Sequence, residues 1–224
     1  MSLTVSQALE SRISCRAFLD TPVPDVTVRN ILERAKQTAS GGNLQPWHVY
    51  VVTGDKLGEF RKIIAEKLPA HPMGEGTEYD IYPRKLKEPY RARRSKCGED
   101  MYATINVARE DKEGRMKQFA GNFELFGAPT ALFFAIDRQM GLGQWSDLGM
   151  FIQSVMLLAR EEGLHTCAQE AWAIWYKTVG EFLSIPEDLM LFCGMGLGHM
   201  DEKAPINTLK TERASLEEIA TFVS

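Results

Sequence analysis

The chain has 224 residues, 26 Lys and Arg against 30 Asp and Glu, and a formal charge of −4. With 44% hydrophobic and 25% charged residues, it has an ordinary globular composition, long enough for one large domain or two small ones. A pI near 5.7 without a basic block argues against nucleic acid or an anionic membrane as the main partner.

Apolar charge-free stretches such as 148–159 and 189–200 hold about a dozen residues, short of the roughly 18–20 that span a bilayer. Residues 1–20 carry Glu10, Arg12, Arg16 and Asp20, which leaves no apolar signal-peptide core. Cys15, Cys97, Cys167 and Cys193 are widely spaced without a CxxC pair and read as reduced thiols. The expectation is a soluble cytoplasmic protein.

Thr4-x-x-Gln7 fits a capping box, so a short first helix is expected from Thr4, with Ala8 and Leu9 behind it. After Pro22 and Pro24, a second helix is predicted from Asp25 to Thr38. Val28, Ile31, Leu32 and Ala35 form one face of it; Arg29, Glu33, Arg34 and Lys36 form the other. Residues 39–43 make a loop in which two glycines and an asparagine tolerate positive φ and expose backbone N–H groups. His48–Thr53 reads as a strand, apolar on both faces and therefore expected at the centre of its sheet. Asp55 is expected to cap a third helix running through Leu57, Phe60 and Ile64.

Residues 69–125 have a different character. Pro69, Pro72, Gly74 and Gly76 open a loop, and a charged, Arg-rich helical region extends from Tyr90 to Met116. No linker follows, so this section reads as a lid or excursion within a single domain spanning 1–224. Thr130–Ile136 is a buried strand. Leu148, Phe151, Ile152, Val155, Met156 and Ala159 follow helical spacing, and Leu157 and Leu158 extend burial nearly all round that helix. An extended piece at Thr166–Gln169, a helix near Trp172–Leu183 and a strand at Leu189–Gly194 complete the core. Without strict βαβ alternation, the fold class is α+β.

Several common sites are missing. There is no GxxxxGK[ST], no GxSxG, and no metal-ligand spacing among His48, His71, His165 and His199. Gly194-Met-Gly196-Leu-Gly198 follows a strand, but His199 replaces the last glycine of a dinucleotide turn and no helix continues beyond it, so strand packing is the better reading.

The positive signal lies in four separated pieces. Arg12, Ser14 and Arg16 place two guanidiniums four residues apart with a hydroxyl between them, which suits a phosphate or polyol; alone, the pattern fits a solvated face equally well. Ser40, Gly41, Asn43 and Gln45 offer amides and free N–H groups that suit a pyrimidine edge, or simply a helix end and a turn. Gly163–Trp172 is the third piece. The fourth is Asn207–Arg213, whose cations could complete a phosphate site or form a charged tail.

In this order the pieces resemble the FMN-dependent nitroreductase family. The motifs are Ser11-Arg-x-Ser-x-Arg16, Ser40-Gly-Gly-Asn-x-Gln-Pro-Trp47, Cys167-Ala-Gln-Glu-Ala-Trp172, Cys193-Gly-Met-Gly-Leu-Gly198 and Lys210-Thr-Glu-Arg213. Tyr82-Pro83, Glu88-Pro89-Tyr90, Arg93-Arg94, Asn122-Phe123, Phe126–Pro129 and Trp145–Gly149 look like the nitrobenzoate-reductase branch. The resemblance implies a homodimer with a central mixed sheet flanked by helices. It assigns the FMN phosphate and ribityl chain to Arg12, Ser14, Arg16, Lys210 and Arg213. Ser40, Gly41, Asn43 and Gln45 then belong to the other subunit's flavin site. Gln169, Glu170 and Ala171 lie at the flavin N5, with a backbone N–H beside it. The implied reaction is ping-pong hydride transfer from NAD(P)H to nitroaromatics, carried by the flavin with no protein nucleophile and no metal. A quinone or flavin reductase, a reductive dehalogenase of the same fold, and a non-catalytic FMN-binding protein are the alternatives. Ala39 and Ala168 depart from the family pattern, which commonly has proline there; both changes loosen φ without removing a donor. Trp47, Trp172 and Trp175 read as core anchors.

Overall fold

The computed structural model describes residues 3–224. Helix α1 (Val5–Ser11) starts at the expected capping box: the Gln7 N–H donates to Thr4 Oγ1 (3.2 Å) and the Thr4 N–H to Gln7 Oε1 (2.8 Å). Helix α2 (Asp25–Ala35) buries Val28, Ile31 and Ala35. It stops three residues short of the expected end because the Thr38 hydroxyl donates to Ala35 O (2.7 Å), an alternative partner for a terminal carbonyl. Strand β1 (Trp47–Thr53) leads into α3 (Gly54–Lys67); Thr53 occupies the N-cap position and Asp55, expected there, sits in the first turn.

In the 69–125 section, α4 (Tyr90–Thr104) and α5 (Lys112–Ala120) contain no buried residue. A 3₁₀ segment, Gly121–Gly127, then buries Phe123 and Leu125. Strand β2 (Thr130–Asp137) and α6 (Leu142–Glu161) follow, then β3 (His165–Gln169), a 3₁₀ turn at Glu170–Trp175 and α7 (Tyr176–Leu183). Strand β4 (Leu189–Gly198), a 3₁₀ turn at Pro205–Thr208 and α8 (Leu216–Ile219) close the chain.

The sheet order is β1-β2-β4-β3. All three ladders are antiparallel, so the expected mixed sheet is corrected in its ladders; the parallel element among the described residues is the isolated bridge Ser14–Thr166. The β1 strand is an edge, not the centre. Its two apolar faces arise because helices pack on both sides of the sheet, and burial at β1 is mostly partial. The centre is β2, whose residues 130–136 are all buried.

On one face, Leu132, Phe134, Ile136, Met195 and Leu197 pack against α2 and α6 through Ile31, Phe151 and Val155. On the other, Ala131, Phe133 and Leu191 meet Phe60, Trp172 and Trp175. Trp172 and Trp175 are fully buried, and Trp47 stacks on Phe151 with centroids 4.7 Å apart, so all three are anchors. The α6 helix is longer than expected and buried on one side: Leu148, Phe151, Ile152, Val155 and Ala159 are buried, while Leu142 and Met150 are exposed.

The glycines of β4 are clearances rather than a nucleotide turn. A Cβ on Gly194 would lie 2.9 Å from Trp172 Cγ, and one on Gly198 would lie 2.6 Å from Pro129 Cδ. β4 also skips Phe192 where it pairs with β2, and the freed Phe192 carbonyl accepts from Tyr79 Oη at 2.5 Å.

Candidate functional site

The segment after α1 runs beside β3. Ser14 bridges Thr166, and the Cys15 N–H donates to Thr166 O (3.0 Å). This extended path places Arg12, Ser14 and Arg16 along the same strand edge. The C-terminal segment joins them through one side chain: Asn207 Oδ1 accepts from the Arg16 N–H (2.8 Å), and its Nδ2 donates to Ala17 O (2.8 Å) and Asp201 O (2.9 Å).

Burial, and then the charge of Arg213, hold the Arg12 pKa below its ordinary value. Burial pushes the Cys167 thiol up to about 11, against the opposing pull of Arg16 and Arg12. Arg12, Arg16 and Arg213 therefore share one neighbourhood beside β3. Among the described residues, no carboxylate forms an ion pair with Arg12, Arg16, Lys210 or Arg213. Arg16 donates to Ser14 O (3.3 Å), and Arg213 donates within its own segment, to Thr211 Oγ1 (2.6 Å) and Glu212 O (3.0 Å). Lys210 is exposed on that segment. Gathered cations without anions make a site for a multiply charged anionic group such as a phosphate.

The turn carrying Ser40, Gly41, Asn43 and Gln45 lies elsewhere, against α6. The Gly41 N–H donates to Asp147 Oδ2 (3.1 Å), the Gln45 N–H to Ser40 Oγ (3.0 Å), and Gln45 Nε2 to Asn43 O (3.1 Å). Gly42, Asn43 and Gln45 all adopt positive φ, near +57°, +57° and +51°, which is why a glycine and an asparagine occur here. The Asn43 amide is exposed and makes no hydrogen bond to another described residue. Within this chain, then, the arginine cluster comes together and this turn stays apart from it.

At the end of β3, the Gln169 amide turns inward: Nε2 donates to Asn122 O (2.8 Å), and Oε1 is buried without a partner. Glu170 and Ala171 open the 3₁₀ turn, where the leading N–H groups have no partner within the helix. Burial raises the Glu170 pKa above the ordinary carboxylate value.

Three residues of this site carried no role in the sequence reading. Asp147 fixes the 40–45 turn, Asn122 holds Gln169, and Asn207 joins the chain ends. Each is a polar residue within a quoted motif, and that was the available signal; their partners lie 106, 47 and 191 residues away.

Comparison with known proteins identifies the family. The model of the nitroreductase family matches residues 9–199. A chloronitrobenzene nitroreductase of Comamonas testosteroni is 34% identical over 219 residues, 98% of this chain and 96% of that protein. A 4-nitrobenzoate reductase of Pseudomonas putida is 33% identical over 213 residues, 95% of this chain and 92% of the relative. Among solved structures, an FMN and NADPH-dependent nitroreductase NfnB from sphigopyxis sp. strain HMH superposes with a TM-score of 0.96 at 44% identity, covering 99% of this chain and 100% of that one. The FMN-dependent NfnB of Mycobacterium smegmatis, solved in complex with NADPH, superposes at 0.92 with 25% identity, over 99% and 100% of the two chains. The chain belongs to the nitroreductase family.

Proposed function

We propose that the protein is an FMN-dependent oxidoreductase that passes hydride from NAD(P)H to nitroaromatic compounds in a ping-pong cycle, and that it works as a homodimer. The observation that carries this reading is the group of uncompensated cations, Arg12, Arg16 and Arg213, with Lys210 on the same arm. The FMN phosphate is close to dianionic and demands such a donor set. Arg12, Ser14 and Arg16 would hold the phosphate and ribityl chain from the α1 side, and Lys210 and Arg213 from the C-terminal side. The backbone N–H groups at Glu170 and Ala171 would face the redox-active ring nitrogen. Bound FMN supplies the hydride relay, so no side chain of the protein needs to act as nucleophile.

The unengaged amide of Asn43, with Ser40, Gly41 and Gln45, suits the pyrimidine edge of a flavin bound in the partner subunit. Large exposed apolar side chains are compatible with that arrangement: Leu142 is 91% exposed, Phe222 82% and Val223 94%. Among the described residues no helix is long and apolar enough to cross a membrane. The unbridged, buried Cys15, Cys167 and Cys193 fit a reducing cytoplasmic setting. NADPH is favoured as donor because the similar structures at high superposition include NADPH-dependent enzymes.

Anaerobic mixing tests the function. The FMN-loaded protein should lose its flavin absorbance near ~450 nm on addition of NADPH and regain it with a chloronitrobenzene or nitrobenzoate. Recovery only with a quinone or free flavin would move the acceptor class; no bleaching with either nicotinamide would make the protein a flavin carrier.

A further inference from the structure

We infer that Asn207 is the positioning residue that makes the cation site selective for a phosphorylated flavin, by pinning the Lys210–Arg213 arm against Arg16. This rests on the FMN reading above. Beyond Asn207 and the buried Ile206 beside it, the C-terminal arm is weakly held. From Leu209 to Ser215 no backbone N–H donates to a backbone carbonyl among the described residues. Its ion pairs to α4, Lys96–Glu212 at 3.5 Å and Arg93–Glu218 at 2.7 Å, lie on the surface, where such pairs contribute little.

Asn207 is different. Its amide is part-buried and uses one acceptor and two donors at once: the Arg16 N–H, Ala17 O and Asp201 O, all within 2.9 Å. Two of these partners belong to the segment carrying Arg12 and Arg16, and the third to the turn after β4. One side chain therefore fixes the spacing between two stretches of cations 191 residues apart in sequence. Three and six residues beyond it come Lys210 and Arg213.

The choice of an amide has a physical reason. Aspartate has the same shape and still accepts from the Arg16 N–H. However, it offers no donor to Ala17 O and Asp201 O, and it adds the carboxylate that this cluster otherwise lacks. An anion there would neutralise the arginines that a phosphate needs. The amide holds the arm without competing for the cations. Asn207 acts through Arg16, Lys210 and Arg213 and does not itself contact the flavin.

The test is a comparison of two ligands. The full chain, freed of flavin, is titrated with FMN and with riboflavin, which lacks only the phosphate, following flavin fluorescence. For Asn207→Ala, FMN affinity should fall about tenfold or more while riboflavin affinity moves by less than about twofold. Asn207→Asp should lose more FMN affinity than Asn207→Ala, again sparing riboflavin. A purely structural role would weaken both ligands alike and overturn the inference, as would unchanged FMN preference in both variants. If neither variant folds, Asn207 is a folding determinant and the inference also fails. Wild-type protein binding FMN no better than riboflavin would instead overturn the phosphate-site reading itself.

Discussion

The Arg213 guanidinium stands close enough to Arg12 to lower its pKa, after burial, and neither has a carboxylate partner among the described residues. Two like charges drawn together at opposite ends of a chain cost free energy until an anion joins them. A single charge-assisted hydrogen bond contributes about 1.5–3 kcal/mol, so Arg12→Ala should weaken FMN by roughly 10–150-fold. The variant should purify largely colourless, as read from the ratio of flavin to protein absorbance. Full retention of yellow flavin would remove Arg12 from the phosphate site.

Gly194 makes room for Trp172. A Cβ there would sit 2.9 Å from the indole Cγ and 3.0 Å from Nε1, in a fully buried aromatic cluster with Phe60, Phe123 and Phe133. Gly194→Ala should destabilise the protein by about 1–3 kcal/mol through overpacking. Gly58→Ala, in α3 with nothing within 4 Å of the new methyl, should stabilise by up to about 1 kcal/mol from helix propensity. Denaturant midpoints measure both; equal effects would mean that the glycine in β4 is not a packing requirement.

Glu75 fastens the loop after α3 to α7. Its carboxylate accepts from Thr178 Oγ1 (2.6 Å) and the Thr178 N–H (3.0 Å), with Lys67 Nζ at 3.5 Å. Burial favours its neutral form, but the Thr178 hydrogen bonds and Lys67 outweigh it and lower the pKa below the ordinary 4.5. The unfolded chain therefore binds a proton that the folded chain refuses. The stability Glu75 provides is fully present above the ordinary carboxylate range and is lost as pH falls through the lowered value. Glu75→Gln should destabilise at pH 7 and shrink the acid-side slope of stability, measured by denaturation between about pH 3 and 7.

His165 titrates low. Burial, then the neighbouring Arg160 and His199, bring its pKa down to about 4 from 6.5, and Arg160 Nη1 lies 3.1 Å from Nδ1. The unfolded state gains a proton below pH 6.5 that the folded state accepts only near 4, so this group reduces stability as pH falls across that interval. In histidine-selective NMR, the His165 ring should remain neutral at pH 5.5, where an ordinary exposed histidine is mostly charged. A midpoint near 6.5 would show that Arg160 and burial do not govern it.

Local chemistry was readable in the sequence; distant partnership was not. The Thr4–Gln7 capping box is complete within four residues, and the continuous apolar run of β2 announces a buried strand, so both appear where expected. The place of β1 was misread because apolar residues on both faces signal helices on both sides as readily as a central position. Arg12, Ser14, Arg16 and Arg213 are linked in the sequence only through the family resemblance, because as bare patterns the cations read equally well as a solvated face and a charged tail. The residues that hold this machinery in place, Asn207 and Asp147, look like any polar side chain until the fold brings their partners from 191 and 106 residues away.

The most direct test is a crystal structure grown with excess flavin mononucleotide. The expected result is flavin density with its phosphate among Arg12, Arg16, Lys210 and Arg213 of one subunit, and its pyrimidine edge against the 40–45 turn of a second. Those cations found facing only solvent or neighbouring side chains, at saturating flavin, would contradict the FMN site and the hydride transfer built on it.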